Sequence, residues 1–172
     1  MDFRDCRSMK VTLVPHCALN QNARLAACAE LPCAVAELVQ GLMDRGIGVV
    51  QMPCPELMLI GLDREHVQIR SALESRPARA ALRQMARDLV YQVVEYQKCG
   101  VKVLGVLGKN GSPSCGVEMT WRAEYGPGSG AFIEELQADL KDQGVNVPVV
   151  GMVDGQPQAA LDVVDGWLQA AG

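Results

Sequence analysis

The chain is 172 residues long, which suits one domain with an ordinary core. It is 49% hydrophobic and 21% charged, with a net charge of −4 and a pI of about 5.2; this excludes a disordered chain and a basic field for nucleic acid or anionic lipid. Aromatic residues at 4% leave little for base stacking. No apolar run reaches the ~18 residues of a membrane span, and Met1–Lys10 holds no signal-peptide core, so a cytoplasmic protein without a membrane partner is expected.

In chain order, residues 1–9 read as a flexible extension, with Met9 as a candidate start. Lys10–Pro15 (KVTLVP) is a β-branched run and reads as the first strand. Cys33–Arg45 reads as a helix, since Val35, Leu38, Val39 and Leu42 recur at helical spacing and Gly46 can end it. Gly48–Gln51 is a second short strand. Pro77–Lys98 is the longest helix, with a stripe of Leu82, Met85, Leu89 and Val93 between an opening proline and Gly100. Val101–Leu107 is a third strand, apolar enough to be buried on both faces. Ser129–Gln143 is a helix with Ser129 as its N-cap. Asn146–Gly151 is a fourth strand and Pro157–Ala170 a closing helix. Three stretches read as irregular: His16–Pro32, Pro53–Ser75 and Gly108–Gly128. Strands alternating with helices imply parallel pairing covered on both faces. The expected fold is a single α/β domain over residues 1–172, a three-layer sandwich around a short, mostly parallel sheet of about four strands.

The seven cysteines are an odd number, and too few for a disulfide scaffold. In a reduced compartment they point to metal or catalysis. Cys17, Cys54 and Cys115 each follow a predicted strand. Ligands of open parallel sheets bind beyond the carboxyl ends of the strands, so these three are expected to converge. Pro55 opens a short helix, and Cys54 before it is expected to have a lowered thiol pKa. Cys115 sits in Gly111-Ser112-Pro113-Ser114-Cys115-Gly116, where glycines permit close backbone approach. Cys28 and Cys33 read as small hydrophobes in alanine-rich segments; Cys99 ends a helix and Cys6 lies in the extension. Three thiolates suit zinc with a fourth ligand or water. They also suit an iron–sulfur cube with one iron open to substrate. A metal-free redox switch is a third reading, against which stands the lack of a C-x-x-C pair.

The segments Val14-Pro15-His16-Cys17-Ala18-Leu19-Asn20-Gln21-Asn22, Pro53-Cys54-Pro55-Glu56-Leu57 and Gly111 to Gly116 resemble, in order, the three motifs of the thiouracil desulfurase (TudS) family. The match is closest to its TudS-related desulfidase branch, and Gly61-Leu62-Asp63-Arg64 adds to it. The resemblance implies a Rossmann-like domain and a [4Fe-4S] cluster held by Cys17, Cys54 and Cys115. It also implies catalytic roles for Glu56 and Ser112, with Ser114, which directly precedes Cys115, as the alternative serine. The implied reaction removes sulfur from a small thiolated substrate such as a nucleobase, without net redox change, with hydrosulfide as product or bound ligand. Ala18-Leu19-Asn20-Gln21-Asn22 stands where the thiouracil enzymes have a leucine–glycine-containing stretch, so the resemblance reaches the cluster further than the substrate.

Ser114, His16, Asn20 and Lys109 are the candidate substrate-binding residues, and Asn110 is a weaker one. Asp154-Gly155 reads as a solvated turn. The stretch from Gly126 to Gly130 reads as a lid or an anion-binding helix start. The competing function is a non-catalytic cluster or sulfide carrier, which needs the cysteines but not Glu56. Either is expected as a monomer or small homo-oligomer.

Overall fold

A computed structural model describes residues 5–26 and 28–171; residues 1–4 of the expected extension lie outside the described residues. In chain order the elements are β1 (Lys10–Val14), α1 (His16–Leu19), a 3-10 turn (Gln21–Ala23), α2 (Ala36–Asp44), β2 (Gly48–Gln51), α3 (Pro55–Leu59) and α4 (His66–Glu74). There follow α5 (Arg76–Lys98), β3 (Lys102–Lys109), β4 (Met119–Trp121), β5 (Tyr125–Pro127), α6 (Ala131–Asp142), β6 (Val149–Met152) and α7 (Pro157–Ala171). Among the described residues no helix is long and apolar enough to cross a membrane.

The main sheet is parallel throughout, in the order β2-β1-β3-β6. The chain steps from β1 outward to β2 and then returns past β1 to β3. The strand order therefore reverses between β1 and β3, and this is where open α/β sheets form their ligand crevice.

Side-chain alternation builds the three layers. Val11 and Leu13 of β1 pack with the buried faces of α4, α5 and α6. Val14 packs with α2 and α7 on the other face. The stripe of α5 buries Leu82, Ala86, Leu89, Val90 and Val93, each large aliphatic contributing roughly 1.5–3 kcal/mol when fully removed from water.

β3 carries a bulge against β1: Val11 pairs with Val103, but Leu13 pairs with Val106. The extra residue keeps Val103 and Val106 on the α5–α6 side while Leu104 and Leu107 face α2 and α7. A bulge loosens the ladder locally, and buried Thr12 compensates by donating its hydroxyl to Gly105 O at 3.0 Å. Gly105 also admits the Trp167 ring of α7, whose carbons would lie 2.7–2.8 Å from an added Cβ. Gly105→Ala is therefore expected to cost about 1–3 kcal/mol through overpacking. Urea unfolding, followed alongside Trp167 emission, measures it.

Several boundaries differ from the sequence reading. α2 starts at Ala36 rather than Cys33, because the Val35 N–H is still spent on Ala18 O. α5 starts at Arg76, one residue before the proline, because the Ser75 side chain caps it by accepting from Ala78 N. β6 starts at Val149 rather than Asn146; Pro148 can offer only its carbonyl, which Val106 N takes. The stretch Pro53–Ser75 is not irregular but holds α3 and α4. The periodicity of α4 is thin: Ile69 and Leu73 are buried beside buried Arg70, whose charge masks an apolar face. Gly108–Gly128 holds the antiparallel β4–β5 hairpin.

Ser129 is not the N-cap of α6. Gly130 is, with no side-chain cap, and Ser129 Oγ donates to Val117 O instead. The first amides of α6 are spent on the Cys115 loop. Ala131 N donates to Pro113 O at 2.9 Å, and Phe132 N and Ile133 N to Ser114 O at 3.0 and 3.2 Å. The expected anion-binding helix start is therefore already satisfied by protein carbonyls.

Candidate functional site

The carboxyl ends of β1, β2 and β3 open onto a cavity of about 290 Å³. Each strand delivers one cysteine to its lining. Cys17 arrives on α1, which begins directly after Pro15; Cys54 is the N-cap of α3; Cys115 comes from the loop after β3. His16, Glu56, Arg64, Lys109, Ser112 and Ser114 line the same cavity. Among the described residues no three His, Cys, Asp or Glu side chains converge as the ligands of one metal ion do. A cluster makes no such demand, since each thiolate binds a different iron.

The thiols sense one another: charge on Cys17 or Cys54 raises the pKa of Cys115. Burial is the first cause at all three. It pushes Cys17 up to about 12, with the Asp154 charge adding to it and Arg24 and Lys109 opposing. It raises Cys115 well above the ordinary thiol range in spite of the Ser114 hydroxyl. For Cys54 the expected lowering is overturned. The N–H groups of Leu57 and Glu56 at the start of α3 do favour its thiolate, but desolvation outweighs them.

Neutral thiols facing one cavity without disulfides, Cys115 buried and Cys17 and Cys54 half-buried, form a donor set that a bound cation would ionise. In the metal-free protein, Cys17 and Cys115 are expected to resist iodoacetamide at pH 8 while exposed Cys6, Cys33 and Cys99 react, as mass spectrometry of the alkylated chain would show. The linkage follows the same sign. Between the ordinary thiol pKa of about 8.5 and about 12, the folded Cys17 keeps a proton that the unfolded one has lost. The metal-free fold therefore loses stability as pH rises through that window.

The Cys115 loop is held by its own backbone and side chains. Gly111 turns it with φ +85°, a conformation glycine adopts freely. Lys109 N donates to Cys115 O at 2.7 Å. Ser112 Oγ accepts from Ser114 N at 3.2 Å and Cys115 N at 3.0 Å. Asn110 Oδ1 gathers the amides of Val117, Glu118 and Met119, so Asn110 shapes the loop.

Glu56, in the first turn of α3, is buried and reaches across to this loop. Its Oε1 accepts from Ser114 Oγ at 2.7 Å and Ser112 Oγ at 3.0 Å. Its Oε2 lies 3.3 Å from Arg64 Nε. Arg64 is itself tied to Gly61 O at 2.7 Å and Ala23 O at 2.8 Å. Ser114 Oγ also stands 3.5 Å from Cys115 Sγ. A carboxylate, two hydroxyls and a thiol thus form one connected set, with Ser112 on the more open side and Ser114 fully buried.

A second set braces the Cys17 segment. Asp154 is not a solvated turn residue: its side chain is fully buried. It accepts from Arg24 NH1 at 2.5 Å and Gln21 Nε2 at 3.1 Å, and Lys109 Nζ lies 3.2 Å away. Gln21 Nε2 also donates to Cys17 O at 2.9 Å. Lys109 therefore borders the cavity with its charge already matched. His16 borders it with Nε2 buried and without a hydrogen-bond partner. Asn20 does not border it; it is exposed, and its amide oxygen accepts from Asn22 N and Nδ2 at 3.1 and 3.0 Å. Cys28, read from sequence as a small hydrophobe, does line the cavity.

Arg64 and Arg24 are candidate-site residues with no sequence expectation, and Asp154 is one that reads as a solvated turn from sequence. Arg64 stood in a segment noted for its resemblance, but nothing in the spacing revealed its partner. Asp154 at the end of a predicted strand was the available signal for the second set.

No protein-family model matches the chain. The chain is similar to the uncharacterized protein MJ0003 of Methanocaldococcus jannaschii, with 26% identity over 111 residues, covering 64% of this chain and 70% of that protein. Among solved structures it is similar to the [4Fe-4S]-dependent thiouracil desulfidase TudS, with 20% identity and a TM-score of 0.49, covering 90% of this chain and 97% of the other.

Proposed function

We propose that the chain is an iron–sulfur-dependent desulfurase. Cys17, Cys54 and Cys115 would hold a [4Fe-4S] cluster with one iron open. The cavity would take a small thiocarbonyl compound such as a thiolated nucleobase. The observation that carries this reading is the meeting, in one cavity, of three strand-end thiols with the Glu56–Ser112–Ser114 set beside Cys115. The motif resemblance supports it. When bound, the cluster supplies a thiophilic Lewis acid that draws electron density from the thiocarbonyl carbon.

The balance is hydrolytic: water adds to the carbon, the carbon–sulfur bond breaks, and an oxo compound and sulfide leave with no change in oxidation state. The protein's part is to move the protons. Ser112 faces the cavity and donates to Glu56 Oε1. As the longer bond from Ser114 N gives way, its oxygen can take a proton from the attacking water while passing its own to the carboxylate. Arg64 holds the other carboxylate oxygen, Oε2, at 3.3 Å and so fixes the orientation of Glu56. Ser114, behind Ser112, holds the same oxygen and touches the Cys115 sulfur. His16, whose Nε2 lacks a hydrogen-bond partner, lines the wall beside Lys109, whose charge Asp154 already matches. A carrier that merely held sulfide would use the carboxylate–hydroxyl set to brace the Cys115 loop but not to move protons.

The test is anaerobic incubation with 2-thiouracil, assaying sulfide and uracil. Equimolar release of both is expected. Cluster-loaded protein that releases no sulfide from 2-thiouracil or a panel of other thiocarbonyl heterocycles would overturn the reading.

A further inference from the structure

The chain has few aromatic residues, yet two of them stand at the cavity. Trp121 and Tyr125 are cross-strand partners in the β4–β5 hairpin. Their ring centroids are 5.8 Å apart with planes tilted by 56°. Both line the cavity, and 36% of Trp121 and 50% of Tyr125 remain exposed.

The attachment of the hairpin to the Cys115 loop sets them there. Thr120, between β4's outward positions, turns inward, and its hydroxyl donates to Ser112 O at 2.9 Å. Gly111 N donates to Met119 O at 2.9 Å. Arg122 NH2 reaches Glu134 of α6 at 2.9 Å. The hairpin is thus pinned to the same loop that carries Ser112 and Cys115, so the rings hold a set position relative to the proposed chemistry. A cross-strand aromatic pair stabilises a hairpin wherever it lies; that role does not require both rings to border a cavity with much of their surface open.

We propose that Trp121 and Tyr125 form a stacking wall that selects a planar, unsaturated heterocycle over saturated or acyclic thiocarbonyl compounds. This rests on the desulfurase reading for the chemistry, and it narrows the substrate class. A planar heterocycle presents a π-face to an aromatic side chain, in stacked or tilted geometry. A saturated ring puckers and has no such face. The cavity volume is near the lower end of small-molecule sites, about 300–1,000 Å³, which suits a ligand of one ring rather than several.

The experiment compares uracil with 5,6-dihydrouracil, which share carbonyl and N–H groups but differ in planarity. Affinities for the anaerobically purified protein are measured by ligand-observed NMR. Uracil is expected to bind about fivefold or more tightly than dihydrouracil. The ratio is expected to fall toward one in Trp121→Leu and in Tyr125→Leu. Emission of Trp167, packed against Gly105 across the sheet, reports that each variant is folded. Equal affinities in the wild type, or a ratio unchanged in both variants, would overturn the wall. Neither probe contains sulfur, so the two readings fail separately. Ring discrimination without sulfide release would sink the desulfurase and leave the wall standing; sulfide release without discrimination would sink the wall alone.

Discussion

Replacing Glu56 with glutamine is expected to lower sulfide release by about 10²–10⁴-fold, the usual worth of a positioned general base, while the protein keeps its iron. Glutamine matches the carboxylate in size but cannot take a proton at neutral pH. Its amide can turn the oxygen toward Arg64 and the nitrogen toward Ser112 and Ser114, whose hydroxyls accept as well as donate. The site geometry is therefore retained and only the proton acceptor is lost. Release rates measured with iron content on the same samples separate the two effects. Near wild-type turnover in a fully loaded Glu56→Gln protein would remove Glu56 from the mechanism.

The largest stability effect is expected at Arg64. Its side chain is 2% exposed and that of Glu56 is 10% exposed, so solvent screens the pair little. Arg64→Leu strands the buried carboxylate and also releases Gly61 O and Ala23 O. Removing one partner of a buried pair costs about 3–5 kcal/mol. Lysine is not an adequate substitute, because one ammonium cannot span three acceptors in the guanidinium's fork. Urea unfolding of metal-free wild type, Arg64→Leu, Glu56→Gln and the double variant would show the origin of the loss. The double variant is expected to be more stable than Arg64→Leu alone, because no charge is then left unpaired. A loss below about 1 kcal/mol would place the pair among weak surface contacts.

Periodicity made the frame of this fold readable. β1, β2 and the long helix α5 emerge from apolar repeats within a residue or two of their bounds, and the parallel sheet follows from their alternation. Strand order did not emerge, because nothing local says on which side of β1 the chain returns; that is decided by how α5 and α6 pack. α4 stayed hidden because a buried, ion-paired Arg70 occupies its inner face. The three cysteines were placed at strand ends by sequence position together with the parallel-sheet rule. The charges that hold the site were not. Asp154 and Arg24 are 130 residues apart, and an acidic residue before glycine reads as a turn until its partners are known. The Cys54 thiol failed in another way: the helix-start effect was real, but its competitor, burial, is invisible in a local motif.

The central claim is that Cys17, Cys54 and Cys115 hold an iron–sulfur cluster. The most direct test is anaerobic purification of the wild type and Cys17→Ala, with ultraviolet-visible spectra and counts of iron and acid-labile sulfide. The account predicts a brown wild-type protein with about four irons and four sulfides per chain, and a variant that loses most of both. A wild-type protein that stays colourless, and takes up neither iron nor sulfide on reconstitution, would contradict it.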